Sequence, residues 1–390
     1  MFSINNTMRE IMETPLIGSR IGNLFPSCWI PCVKKEHWDH TMEQIKQEDT
    51  MEWGQPFWSE AFVECANILK ETVDKKRFCF VPLWTENETL DFTGTYLPEV
   101  ATNCEEDVWL FTGNPLVDQQ AFAHTSSSAS IPPYQSDAVS EEKKNSYKNQ
   151  RPAVIFCPGG GYEMLSYYSE GIQLAQRMER DGGYKAFILN SRIAPNKYPQ
   201  PQMDLALAVM HVRAHATEYE IDPDNIVVVG ASAGGHLCAS EAYLYEELRE
   251  LVLERLLEEN KEDQELLKQR YHEVSARPDA LGLLYPVISF IEDYHEGSCG
   301  NLTGGDPKLK EKLSVERHMD ENYPPTYAFA NEDDGCVPVS NTIRLDQQLQ
   351  AAGVKHRCDI YPQGDHGIGL GYETSAQRWS EEMLKFLERK

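Results

Sequence analysis

The sequence predicts an α/β fold, with a mostly parallel central sheet covered by helices on both faces. Three observations carry this. From about residue 150 onward, short β-branched runs alternate with stretches of helical length. Each run is bounded at one end or both by Gly, Pro, Asn or Asp. One of them, Asn225-Ile226-Val227-Val228-Val229, leads directly into a Gly-x-Ser-x-Gly turn and then a helical pattern. Strands joined by helices pair in parallel, because the crossover carries the chain back to the same end of the sheet.

The predicted strands, in order, cover 153–157, 185–190, 225–229, 280–287, 326–330 and 356–361, and the intervening helices cover 169–180, 202–218, 235 onward and 341–352. Ahead of them, Phe57, Ala61, Phe62, Cys65, Ile68 and Leu69 recur at helical spacing within 57–75. The runs 78–84, 91–97 and 107–112 read as strands that extend the sheet at its start. Residues 122–150 are rich in Ser, Pro, Lys and Glu and read as a surface loop or linker. Residues 241–277 are dense in charge, with Leu248, Leu251, Val252 and Leu256 on one helical face, and read as a helical insertion packing on its own domain. The expected organisation is an N-terminal helical extension over 1–76 and one catalytic domain over 77–390.

The 390 residues carry 36 Lys and Arg against 62 Asp and Glu, so the net charge of −26 argues against nucleic acid and against an anionic membrane as partner. The apolar runs are strand-sized and the first twenty residues lack a cationic-then-apolar leader pattern, so a cytoplasmic protein is expected. Ten cysteines spread singly are expected to be reduced. Cys28, Cys32, His37 and His40 resemble a loose zinc set, but the first gap is wider than the usual one and Pro31 lies inside it. The spacing therefore weighs against zinc, and neither a metal nor an organic cofactor is expected. Self-association into a homo-oligomer is left open by the sequence.

The stretch Gly230-Ala231-Ser232-Ala233-Gly234-Gly235-His236 offers a nucleophile. A serine on a strand-to-helix turn is lifted out of the sheet, and the flanking glycines prevent collisions there. The competing reading is a tight turn with Ser232 as a helix cap. His366, in Gly364-Asp365-His366-Gly367 after the last strand, is placed to act as base, whereas His236, four residues from Ser232, is read as packing. Glu332, Asp333 and Asp334 compete as the orienting acid, and Asp334 is favoured by its spacing to Pro338. Gly159, Gly160 and Gly161 follow the strand 153–157 and let the backbone approach an oxyanion, with N–H groups of Gly160 or Gly161 joined by that of Ala233. A phosphate loop is disfavoured, since no Gly-Lys-Ser/Thr follows. Tyr162 and His295 are candidate substrate contacts, and Tyr167 and Tyr168 are further aromatic candidates that core packing accounts for equally well.

These motifs, together with Arg192-Ile193-Ala194-Pro195, Ile221-Asp222-Pro223-Asp224, His295-Glu296-Gly297-Ser298 and Pro324-Pro325-Thr326, make the region from Arg151 to Lys390 resemble the α/β-hydrolase superfamily, and within it bacterial acetylxylan esterases and feruloyl-esterase-like enzymes. The resemblance implies a Ser232, Asp334, His366 triad and a serine esterase removing a short acyl group, acetyl first of all, from a carbohydrate or small-molecule ester. Pro158 stands where related lipases carry histidine. Rivals are a lipase, carboxylesterase or peptidase on the same fold, and a catalytically silent binding protein.

Overall fold

Six strands, β3 (Arg151–Cys157), β4 (Lys185–Asn190), β5 (Ile221–Ala231), β6 (Ala280–Leu284), β7 (Thr326–Asn331) and β8 (His356–Tyr361), form the parallel part of one sheet. Two short strands, β1 (Phe80–Pro82) and β2 (Trp109–Phe111), add to one edge antiparallel, giving the order β1-β2-β4-β3-β5-β6-β7-β8. This computed structural model describes residues 1–51, 54–74, 80–84, 108–112, 150–259 and 264–388. The strand expected over 91–97 and nearly all of the loop expected over 122–150 lie outside the described residues.

Strand side chains alternate between two apolar clusters. Ala153, Ile155, Phe187, Val228, Leu281 and Ala328 point to one face, while Val154, Phe156, Ile188, Val229, Tyr327 and Phe329 point to the other. Among the described residues, three helices lie ahead of the sheet: α1 (Met8–Met12), α2 (Met42–Glu48) and α3 (Ser59–Asp74). Eight follow: α4 (Gln173–Gly182), α5 (Gln200–Ala214), α6 (Ala233–Glu259), α7 (Gln264–Tyr271), α8 (Glu296–Thr303), α9 (Pro307–Lys312), α10 (Ser340–Ala352) and α11 (Trp379–Leu387). Apolar residues of α5, α6, α7 and α10 cover the first face. The second is covered by α4 and α11 together with α1, α2 and α3, so Met8, Phe25, Phe57 and Phe62 share a cluster with the sheet itself. Glu64 of α3 accepts from Tyr168 Oη at 2.5 Å and from Gln176 Nε2 at 2.9 Å, which ties α3 to the chain entering α4.

Two expectations change. The insertion expected from 241 is not separate, because α6 begins at Ala233 and runs without a break to Glu259. Its first charged residue, Glu241, is fully buried, and burial pushes its carboxyl well above the usual range. Leu248, Val252 and Leu256 form the buried stripe that the spacing predicts. The strand expected over 280–287 stops at Leu284, because Tyr285 takes a φ of 37° and turns the chain out of the sheet.

Candidate active site

The turn between β5 and α6 holds Ser232 at a φ of 53°, a left-handed conformation that few non-glycine residues adopt. Its N–H donates to Leu284 O at 2.9 Å, which fixes the turn against β6. The neighbouring glycines are required by space. A Cβ on Gly230 would stand 2.1 Å from Gly234 O, and one on Gly234 would stand 2.0 Å from Cys157 O. The chain therefore folds back tightly enough to present the serine hydroxyl at the carboxyl end of the sheet.

The loops after β7 and β8 meet that hydroxyl. His366 Nε2 lies 2.9 Å from Ser232 Oγ, and His366 Nδ1 lies 2.7 Å from Asp334 Oδ2. The Asp334 side chain has no exposed surface. Its Oδ1 accepts from the N–H groups of Cys336 and Val337 at 2.9 and 2.8 Å, which keeps Oδ2 aimed at the imidazole. Asp333 does something else: its Oδ1 accepts from the N–H groups of Gly364 and Asp365, both at 2.9 Å, and so clasps the histidine loop. Asn331 Nδ2 donates to Asp365 O at 2.7 Å in the same cause. The geometry thus brings Ser232, His366 and Asp334 into one line of hydrogen bonds and leaves Asp333 behind it.

The glycine loop after β3 lies against the serine turn, since a Cβ on Gly159 would be 2.9 Å from Ser232 Cβ. Gly160 and Gly161 adopt φ values of 130° and 66°. Among the described residues, the N–H groups of Gly160, Gly161 and Ala233 have no protein acceptor. Asn301 Nδ2 donates to Gly161 O at 2.9 Å and holds the loop from α8. A cavity of about 310 Å³ lies alongside, bounded by Phe25, Ser27 and Cys28 from the N-terminal segment and by Glu163, Met164 and Asn190.

Two residues of this machinery escape sequence reasoning. Glu170 is buried beneath the glycine loop, on a π turn, Tyr168–Ile172, that leads into α4. Its Oε2 accepts from Gly159 N–H at 2.8 Å and its Oε1 from Tyr285 Oη at 2.9 Å. Tyr285 Oη in turn accepts from Gly369 N–H at 3.2 Å, and its ring stands edge-on to His366 with centroids 4.9 Å apart. One carboxylate therefore joins the glycine loop to the histidine loop. Burial raises the pKa of Glu170, opposed by its hydrogen bonds with Tyr285 and Gly159. The sequence signals Glu170 only as a single acid between two tyrosines and an isoleucine.

The remaining candidates separate. Tyr162, expected as a substrate contact, is buried, and its Oη meets His236 Nδ1 at 2.8 Å. It holds a φ of 58° in the turn after Gly161. His236 is fully buried between that hydroxyl and Leu313 O, 2.8 Å from Nε2. Tyr167 and Tyr168 are buried too, with Tyr167 Oη on Ile188 O at 3.2 Å. His295 stands beside the glycine loop, its Cε1 3.6 Å from where a Cβ on Gly161 would lie. Its Nδ1 accepts from Ser298 N–H at 3.1 Å as the cap of α8, which leaves the ring proton on Nε2. Desolvation, with the nearby His366 adding, lowers its pKa and favours the neutral ring.

A largely parallel sheet covered on both faces, with a serine on the sharp turn after its fifth strand and with histidine and acid on the loops after its last two, is an α/β hydrolase. A model of the BD-FAE family matches residues 142–349, and the chain belongs to that family. It is 30% identical over 237 residues to endo-1,4-beta-xylanase B of Butyrivibrio fibrisolvens, covering 59% of this chain and 34% of that protein. It is 32% identical over 228 residues to an acetylxylan esterase of Xylanibacter ruminicola, covering 56% of this chain and 41% of that protein. The chain thus spans well under half the length of either relative. Among solved structures, an acetyl ester-xyloside bifunctional hydrolase from Caldicellulosiruptor lactoaceticus superposes with a TM-score of 0.58 at 28% identity, covering 80% of this chain and 95% of that one. No helix among the described residues is long and apolar enough to cross a membrane.

Proposed function

We propose that the protein is a serine ester hydrolase that removes a short acyl group, acetyl above all, from a carbohydrate or small-molecule ester. The observation that carries this reading is the line of hydrogen bonds from Ser232 Oγ through His366 to Asp334. In the first half-reaction His366 Nε2 takes the proton of Ser232 as Oγ attacks the acyl carbonyl, and Asp334 holds the imidazolium that forms. The N–H groups of Gly160, Gly161 and Ala233 receive the oxyanion. His366 then protonates the departing alcohol, and in the second half-reaction activates the water that cleaves the acyl-enzyme. Residues 77–390 carry these groups, while the N-terminal segment shapes the cavity beside the glycine loop, where the alcohol portion is accommodated. His295 Nε2 contributes a donor to the substrate.

The likeness to an acetylxylan esterase and to an acetyl ester-xyloside hydrolase favours a carbohydrate ester, and the net charge of −26 disfavours anionic substrates by long-range repulsion. A series of p-nitrophenyl esters decides the acyl group. Each methylene buried in an acyl channel is worth roughly 0.8 kcal/mol, so a true channel gives a kcat/KM that climbs with chain length. The expected order is the reverse, with acetyl ahead of butyryl and octanoyl negligible. A maximum at octanoyl replaces this reading with that of a lipase.

Glu170→Gln is a second test. The amide has one acceptor oxygen where the carboxylate serves Gly159 N–H and Tyr285 Oη with two. The glycine loop loses its fixed position, and kcat is expected to fall roughly tenfold or more with KM changed less. A variant with wild-type kcat shows that the link between the loops is dispensable.

A further inference from the structure

We propose that the N-terminal segment carries a binding site for a zinc-like divalent cation, formed by His37, His40 and Glu48 with Asp49 beside them. It lies apart from the serine site and does not depend on the reaction proposed above. Among the described residues, His37, His40 and Glu48 are the group of potential ligands that converges, with donor atoms all within 4.8 Å of one another. The fold builds this convergence from short-range structure. His37 closes the 3₁₀ turn Lys35–His37, and the N–H of His40 donates to His37 O at 2.8 Å, which stacks the two imidazoles at 4.9 Å with their planes 14° apart. Thr41 then caps α2 with Gln44, and the seven residues of α2 deliver Glu48 and Asp49 back to those rings.

The two imidazoles turn the same edge to the carboxylates. Nδ1 of His40 lies 2.5 Å from Glu48 Oε2, while Nδ1 of His37 lies 3.9 Å from that atom and 2.7 Å from Asp49 Oδ2. Tetrahedral zinc with bonds of 2.0–2.1 Å holds its ligands roughly 3.3 Å apart, between the 2.5 and 3.9 Å that separate Glu48 Oε2 from the two Nδ1 atoms. In the structure each Nδ1–H donates to a carboxylate, so to ligate the ion each ring gives up that proton and carries its remaining one on Nε2. Asp49 is buried, with 1% of its side chain exposed, whereas 37% of His40 and 38% of Glu48 are exposed. One side of the site is therefore fixed and the other open, which leaves an entry path and a coordination position for water.

Electrostatics give a separate reason. Glu48 and Asp49 close α2 at its negative end, where the helix dipole disfavours carboxylates, in a chain of net charge −26. A dication offsets both. Imidazole with carboxylate selects zinc and its neighbours over calcium or magnesium. The donor set differs from the Cys28, Cys32, His37 and His40 spacing, which weighed against zinc. His37 and His40 take part, but Cys28 and Cys32, on the 3₁₀ helix Ser27–Cys32, are not in the group that converges.

The test is isothermal titration of chelator-stripped, full-length protein with zinc chloride, repeated with cobalt chloride while the visible d–d bands of tetrahedral cobalt are followed. The expected result is one saturable zinc per chain and cobalt bands that saturate at the same ratio. His40→Gln, at a half-exposed position, is expected to weaken binding at least about tenfold and to remove the bands, with circular dichroism unchanged. The paired change Cys28→Ser and Cys32→Ser is expected to leave both readouts as they were. Absence of saturable zinc binding in the unaltered protein overturns the proposal. So does equal affinity for calcium, full binding by the His40→Gln protein, or loss of binding in the cysteine variant.

Discussion

Replacing Ser232 by alanine is expected to lower ester turnover by roughly four to six orders of magnitude, because it removes the hydroxyl that lies 2.9 Å from His366 Nε2. The change deletes one oxygen and leaves the backbone alone. Ser232 already sits at a φ of 53°, and alanine meets the same backbone penalty as serine there, so the melting temperature should stay near that of the unaltered protein. Labelling by a fluorophosphonate should vanish in parallel. Turnover that survives the substitution places the chemistry elsewhere, and labelling that survives it identifies another serine.

Asp334→Asn is expected to cost about as much as a triad member can, roughly four orders of magnitude in kcat, whereas Asp333→Asn should cost less than tenfold. The asymmetry follows from what each oxygen accepts. Asp334 Oδ1 is committed to the N–H groups of Cys336 and Val337, so asparagine must keep its carbonyl there and turn its amide toward His366. The amide then donates to Nδ1, the ring proton is forced onto Nε2, and the base can no longer accept from Ser232. Asp333 presents Oδ1 to the N–H groups of Gly364 and Asp365, a duty that an asparagine carbonyl performs equally well. Kinetic constants for both variants at one pH are sufficient, and a larger loss at Asp333 shifts the acid by one residue.

The parallel sheet was legible because β4, β6 and β7 are apolar runs buried on both faces, and each predicted strand is bounded at one end or both by Gly, Pro, Asn or Asp. The spans 185–190 and 356–361 coincide with β4 and β8, and the others differ by a few residues at their ends. The serine turn was legible because its glycines answer local steric demands that any chain must meet at such a turn. The choice among three adjacent acids rested on spacing to a proline, and the hydrogen bonds to Cys336 and Val337 that give Asp334 its orientation have no trace in composition. Glu170 and Tyr285 are 115 positions apart, and nothing local to either announces the other. Tyr162 misled because an aromatic beside a glycine loop suggests a binding surface, while its side chain lies buried against His236. The 241–277 stretch misled for a related reason: apart from the buried Glu241, the charges up to Glu258 lie along the outer side of α6, whose inner stripe is continuous with its start.

The shared cluster on the second face of the sheet has a consequence for modularity. The stretch that the BD-FAE family model matches, 142–349, stops before β8, before the loop that carries His366, and before Trp379 and Met383 of α11. It also excludes Phe25, Phe57 and Phe62, which cover Val154, Phe156 and Ile188 from the front of the chain. The matched stretch and the packed unit therefore have different borders here. A cassette cut at 142 and 349 would present a bare apolar sheet face to water and would leave His366 behind. Grafting the sheet onto another protein requires moving the front segment with it.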